Sequence, residues 1–284
     1  MFEKIQLPPI NKKETGTEAL REKLGELDII DIEPEKLKTE IPVLVAPGWS
    51  ISIDTVKTGL VTLAEKGRRV LSLEHTRKQE IIENDGGYAD VELQKALALI
   101  GLLESKGIQK ADVVAYSEAG INATIAAEMF PEKFRNIIYV SPAGMVGKRS
   151  TFVHSYKFFS EVRKVAGDML VGKNDWKKTV PIIKDMGVHA ARNPLMSVRE
   201  SDAIAKADIL QAMKRLKESG IGISVISGVD DLVFPMDQVQ EKVTSDVSDG
   251  FYSVKGGHLE IALQPEKFMG AIDGALEAQE NKKK

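Results

Sequence analysis

Val113-Val114-Ala115-Tyr116-Ser117-Glu118-Ala119-Gly120 passes directly from an apolar run into a stretch of small, helix-compatible residues. The run 111–116 is apolar apart from Asp112. It lacks the polar alternation of a half-exposed strand and reads as one buried on both faces, the kind found in parallel sheets. Residues 119–130 are small and apolar enough to form a helix packed close against it. Ser117 stands at the junction. Alone, a serine there can equally be a helix N-cap, so its meaning depends on what the rest of the chain supplies.

Outward from this junction the same alternation repeats. Ile41-Pro42-Val43-Leu44-Val45-Ala46 is an apolar run ended by Pro47-Gly48, and further strand candidates lie at 69–73, 136–140, 222–227 and 251–254. Between them, 54–66 carries Val56, Leu60 and Leu63, and 91–106 carries Leu93, Leu97, Ile100 and Leu103, at helical spacings. Buried strands alternating with amphipathic helices predict a mostly parallel central sheet flanked by helices. From 141 to about 207 the alternation stops: 152–170, 176–186 and 195–205 look helical, separated by the breakers Gly172, Pro181 and Pro194. Ordinary connections run about 4–6 residues, so this reads as an inserted helical cap, 143–206, over the C-terminal ends of the strands. The core is then 41–142 and 207–284. Residues 1–40 form an N-terminal extension with a helical candidate around 17–27 and a candidate edge strand in Ile29-Ile30-Asp31-Ile32.

Composition removes several classes of function. With 43% hydrophobic residues in 284, the chain can bury a large α/β core. Lys+Arg 39 against Asp+Glu 42 leaves a net charge of -3, so no basic field draws nucleic acid or an anionic membrane. Zero cysteines exclude disulfides, thiolate catalysis and cysteine-bound metal. The histidines show no His-x-x-x-His pairing, and no metal site is expected. No segment of ~18 uninterrupted apolar residues predicts a membrane span, and the N-terminus lacks an export pattern; a cytoplasmic location is the expectation. Gly86-Gly87 reads as a turn, and the terminal Lys282-Lys283-Lys284 as a solvated tail.

Two further motifs give Ser117 a context. Ser227-Gly228-Val229-Asp230-Asp231-Leu232-Val233-Phe234-Pro235 follows the strand candidate 222–227, and Val254-Lys255-Gly256-Gly257-His258-Leu259 follows the candidate 251–254. With the Ser117 junction these resemble the three catalytic loops of the α/β-hydrolase family, in the chain order serine, acid, histidine. The family writes its nucleophile turn Gly-x-Ser-x-Gly; this chain has Ala115 and Ala119 in the glycine places. The resemblance implies Ser117 as nucleophile, His258 as general base and Asp231 as the acid that orients it, with adjacent Asp230 as the alternative acid. It also implies an oxyanion hole from the backbone N–H groups of Trp49 and Glu118. The family's usual His-Gly-x is here Pro47-Gly48-Trp49. No cofactor is implied.

These residue types suit acyl transfer. A serine hydroxyl is a weak nucleophile until a neutral imidazole takes its proton, and a carboxylate fixes the imidazole tautomer. The expected activity is hydrolysis of carboxylic esters of small or medium uncharged substrates. A lactonase or carbon–carbon hydrolase on the same triad and a non-catalytic ligand-binding protein are the alternatives. Phe152, Tyr156, Phe159 and Trp176 could form an acyl pocket or dock the cap. His75, His154 and His189 read as surface or packing residues. Glu118 reads either as a carboxylate at a helix start, favoured by the dipole, or as a charge at the rim of the site that raises the pKa of His258.

Overall fold

The computed structural model describes residues 3–6, 26–74 and 89–282. Eight strands form one sheet: β1 (Glu3–Gln6), β2 (Glu26–Ile32), β3 (Val43–Ala46), β4 (Val70–Leu73), β5 (Ala111–Tyr116), β6 (Phe134–Val140), β7 (Gly222–Gly228) and β8 (Gly250–Val254). Their order is β1-β2-β4-β3-β5-β6-β7-β8. β1 and β2 run antiparallel to their neighbours, and every pairing from β4 to β8 is parallel. The sheet is therefore mostly parallel, as the unalternating apolar runs require.

Helices α1 (Ile53–Ala64) and α10 (Pro265–Lys282) lie against one face. On the other are α2 (Asp90–Ser105), α3 (Ala119–Met129) and α7 (Leu210–Glu218). Successive strand residues feed opposite cores: Leu44 and Val113 pack with Leu97, Ala123 and Met213, whereas Val45 and Val114 pack with Leu60, Phe268 and Ile272. Two short helices, α8 (Met236–Gln240) and α9 (Glu260–Leu263), follow β7 and β8.

The N-terminal region departs from expectation. Leu27 and Ile29 are buried with exposed Asp28 between them, a strand pattern, so Glu26 and Leu27 open β2; residues 17–25 of the helical candidate lie outside the described residues. β2 is not at the edge either, because β1 pairs on its outer side.

Between β6 and α7 the chain forms three helices, α4 (Thr151–Leu170), α5 (Trp176–Arg192) and α6 (Pro194–Lys206). Each begins on a side-chain cap: Ser150 accepts from the Val153 N–H, Asp175 from that of Lys177, and Asn193 from that of Met196. Pro181 does not break α5, contrary to its reading as a separator. A proline inside a helix costs about 3 kcal/mol; the buried stripe Thr179, Ile182, Met186 and His189 offsets that by seating the helix on the core. Hydroxyls of Ser52 and Thr55 donate to Asp185, which ties α5 to the start of α1. Among the described residues no helix is long and apolar enough to cross a membrane.

Candidate active site

Four chain segments meet at the C-terminal ends of β3, β5, β7 and β8. Ser117 sits between β5 and α3 in the left-handed region, at φ 57°, a conformation that costs a non-glycine residue about 1–2 kcal/mol. Three backbone bonds hold it there: the Ser117 N–H donates to the Val140 carbonyl, and the Ser117 carbonyl accepts from Gly120 and Ala143. Such a turn requires close neighbours to be small. A Cβ on Gly48 would stand 3.0 Å from both the Ser117 Cβ and Tyr116 Cδ1, so this glycine lets the loop after β3 approach the serine. Ala115 and Ala119 are fully buried, and their methyl groups are accommodated.

The Ser117 hydroxyl lies 2.9 Å from His258 Nε2, and His258 Nδ1 lies 2.8 Å from Asp231 Oδ2. Asp231 Oδ1 accepts from the N–H groups of Val233 and Phe234 at 2.8 and 2.9 Å, so both carboxylate oxygens are engaged. With the acid ionised, Nδ1 carries the imidazole proton and Nε2 is free to accept from serine. Asp230 is exposed and its backbone, not its side chain, is engaged: its N–H donates to Gly256 and its carbonyl accepts from Lys164.

Several groups fix His258. Its backbone N–H donates to Glu161 Oε1 of α4 at 2.8 Å, and its carbonyl accepts from the Tyr116 hydroxyl at 2.6 Å. A Cβ at Gly257 would come within 2.2 Å of that Glu161 oxygen, so a larger residue would push the carboxylate off the His258 N–H. Burial pushes the imidazole pKa down, but the carboxylates of Asp231 and Glu161 outweigh it and raise it above the ordinary histidine value. Glu161 is absent from the residues the family resemblance implies; it stands with His154 and Val165 on the buried face of α4, where a carboxylate is out of place unless it has a partner.

The whole molecule superimposes on solved structures despite low identity. An esterase from Thermogutta terrifontis gives a TM-score of 0.64 at 16% identity, covering 98% of this chain and 99% of that one. A bromoperoxidase from Bacillus anthracis gives 0.65 at 17%, covering 90% and 97%, and an enol-lactonase from Burkholderia xenovorans gives 0.63 at 16%, covering 88% and 97%. The chain has the α/β-hydrolase fold. Neither a protein-family model nor a curated protein sequence matches it.

In this α/β-hydrolase fold, Trp49 follows β3 and Glu118 follows the serine. Among the described residues, neither backbone N–H donates to an acceptor. Their side chains, in contrast, are held by buried partners. Trp49 Nε1 donates to Glu200 Oε2 at 2.8 Å, and Lys95 Nζ donates to Glu118 Oε1 at 2.6 Å. Lys95 also forms an ion pair with Glu200 Oε1 at 2.7 Å, and His189 Nε2 lies 2.8 Å from Glu200 Oε2. Glu118 stands at the helix start, as the first reading has it, though without a side-chain capping bond; it is wholly buried rather than at the rim, and the carboxylates that raise the His258 pKa are Asp231 and Glu161. Burial raises its pKa against the pull of Lys95, and burial with the nearby Glu118 raises that of Glu92 well above the usual carboxylate range. For Glu200, burial opposes ionisation, but Lys95 and His189 prevail and hold it at about 2. His189 is thus a buried packing residue with one polar partner. His154 stacks on Phe234 and is pushed down to about 4 by burial, His258 and Arg149, so it stays neutral. His75 lies outside the described residues.

The cap aromatics require a correction. Phe152, Tyr156, Phe159 and Trp176 are each more than 60% exposed, so they line no buried acyl pocket and do not dock the cap. The inward face of α4 carries His154, Phe158, Glu161 and Val165 instead, and Phe158 packs on the Trp49 ring with centroids 4.8 Å apart. A cleft of about 880 Å³ between the cap and α2, α3 and α7 contains none of Ser117, Asp231 or His258. Among the described residues no cluster of three or more histidine, aspartate or glutamate side chains could hold a metal.

Proposed function

We propose that this chain is a serine hydrolase that cleaves carboxylic esters of small or medium uncharged substrates through an acyl-enzyme. The observation that carries this reading is the unbroken relay from Ser117 through His258 to Asp231, at 2.9 and 2.8 Å. Ser117 Oγ adds to the ester carbonyl while its proton passes to His258 Nε2. The resulting oxyanion is held by the backbone N–H groups of Trp49 and Glu118, which donate to no other acceptor among the described residues. The imidazolium then gives its proton to the departing alcohol as the C–O bond breaks. A water repeats the sequence in reverse, giving up a proton to His258 and releasing the acid from Ser117. Each step uses groups of this chain and water. The cap, residues 143–206, roofs a core formed by 41–142 and 207–284, and the buried carboxylates around the serine support an uncharged substrate over an anionic one.

The likeness to both an esterase and an enol-lactonase keeps lactone hydrolysis as the second reading, since ring opening uses the same addition and proton transfers. A fluorophosphonate probe tests the proposal. It is expected to label Ser117 in the wild type and not in Ser117→Ala; a chain that binds esters yet stays unlabelled is a ligand-binding protein instead. Turnover of p-nitrophenyl esters of graded length beside a set of lactones then ranks the two bond types.

A further inference from the structure

We infer that Glu200, a residue of the cap, is a positioning residue for the oxyanion hole, so that the hole is complete only while the cap is seated. This inference rests on the serine-hydrolase reading above. Glu200 occupies the buried stripe Met196, Glu200, Ile204 of α6, a place where an apolar residue would pack without desolvation cost. It gathers three partners there: it accepts from the Trp49 indole at 2.8 Å, lies 2.8 Å from His189 Nε2 and forms an ion pair with the Lys95 ammonium at 2.7 Å. Lys95 carries the same anchor on to Glu118 at 2.6 Å. Trp49 and Glu118 are the two residues whose N–H groups the proposed reaction uses for the oxyanion. One is therefore tied to Glu200 directly and the other through a single ammonium.

Among the described residues, the backbone of the loop that bears Trp49 makes few hydrogen bonds of its own. Ser50 is in the left-handed region at φ 59°, and within the loop the Ile51 N–H reaches the Gly48 carbonyl at a long 3.4 Å. Oxyanion donors act only if held in place before charge develops, to within about 0.5 Å. The indole, clamped by Glu200 and backed by Phe158, supplies the rigidity that the backbone lacks. Displacement of α6 would remove the acceptor from Trp49 and one of the two carboxylates from Lys95 together.

Two variants test this by different routes. Glu200→Gln keeps an acceptor for the indole but removes the charge that holds Lys95; Trp49→Phe keeps ring packing and removes the indole donor. Each is expected to lower kcat on a p-nitrophenyl ester by about 10- to 100-fold with KM within about threefold, below the 10²–10³ loss for deleting a donor outright. A trifluoromethyl ketone, to which Ser117 Oγ adds to form a hemiketal oxyanion while His258 takes the proton, should bind more weakly by the same factor as the loss in kcat/KM. The double variant should be no slower than the slower single variant by more than about twofold, because both act on one anchor. A merely structural Glu200 would lower Tm without this parallel between turnover and ketone affinity. Folded Trp49→Phe with kcat within twofold of wild type, losses confined to KM, or multiplicative losses in the double variant would overturn the inference. If wild type itself escapes fluorophosphonate labelling at Ser117, it is the underlying serine-hydrolase reading that fails.

Discussion

Two buried charge clusters lie at opposite ends of the same parallel strands. Below the N-terminal ends, fully buried Arg68 donates to Asp273 at 2.6 Å and Glu280 at 2.8 Å, while Arg135 joins Asp112 to Glu280. Above the C-terminal ends, Lys95 joins Glu118 to Glu200. The chemistry is alike, a cation between carboxylates in a low-dielectric setting, but the lower cluster ties the sheet to its own C-terminal helix α10, whereas the upper one ties it to the cap. The lower arrangement uses arginine, whose planar fork is rigid and permanently charged. The upper uses lysine beside carboxylates whose protonation is shifted in opposite directions, Glu92 up and Glu200 down. The contrast teaches that a buried ion pair has no function of its own; what it connects decides whether it serves stability or the geometry of a reaction.

Breaking each end in turn sharpens the contrast. The largest effect belongs to the upper end: Ser117→Ala should lower kcat on a p-nitrophenyl ester by about 10⁴–10⁶ with Tm nearly unchanged. Asp231→Asn should cost about 10³–10⁴ through the wrong imidazole tautomer, and Asp230→Asn almost nothing; the opposite ranking would move the acid by one residue. At the lower end, Arg68→Ala should destabilise by about 3 kcal/mol, since it removes a fully buried side chain and leaves Glu280 to Arg135 alone and Asp273 to the longer Lys38 contact at 3.6 Å. That corresponds to a Tm lower by roughly 6–12 °C, read by calorimetry, with kcat within about twofold of wild type. A tenfold fall in kcat would erase the distinction between the ends.

Smaller effects follow from pH and from the outer face of the cap. His258 must be neutral to accept the serine proton, and its pKa is raised, so kcat/KM should climb with pH through a midpoint above ~6.5. Glu161→Gln keeps an acceptor for the His258 N–H while deleting a charge that favours imidazolium; the midpoint should fall by up to about one unit. An unmoved midpoint would show that this carboxylate only orients the loop. Last, Phe159→Ser should leave kcat/KM within about twofold, whereas Phe158→Ala, which removes the packing on Trp49, should lower it measurably.

The sheet could be read from sequence wherever the apolar runs are unbroken. The run 111–116 matches β5 at both ends, and the run at 222–227 differs from β7 by one residue. Ser117, Asp231 and His258 were readable because each stands just past such a run. β1 was not, because four residues of mixed polarity carry no period. The cap pocket was placed on the wrong face of α4: Phe152, Tyr156 and Phe159 and the pair His154 and Phe158 are both helically spaced, and only packing distinguishes the two phases. Glu200 was nearer to legibility, since a carboxylate between Met196 and Ile204 interrupts an apolar stripe. Its partners Trp49 and Lys95 are more than a hundred residues away, and nothing local joins them.

The most direct test is to trap the acyl-enzyme. The protein is mixed with p-nitrophenyl acetate, quenched in acid within one turnover, digested, and its peptides are weighed. An acetyl group is expected on the peptide that contains Ser117, absent in Ser117→Ala and accumulating when His258 is replaced only if acylation still proceeds faster than hydrolysis. Acetyl on a different residue, with ester turnover undiminished in Ser117→Ala, would contradict it.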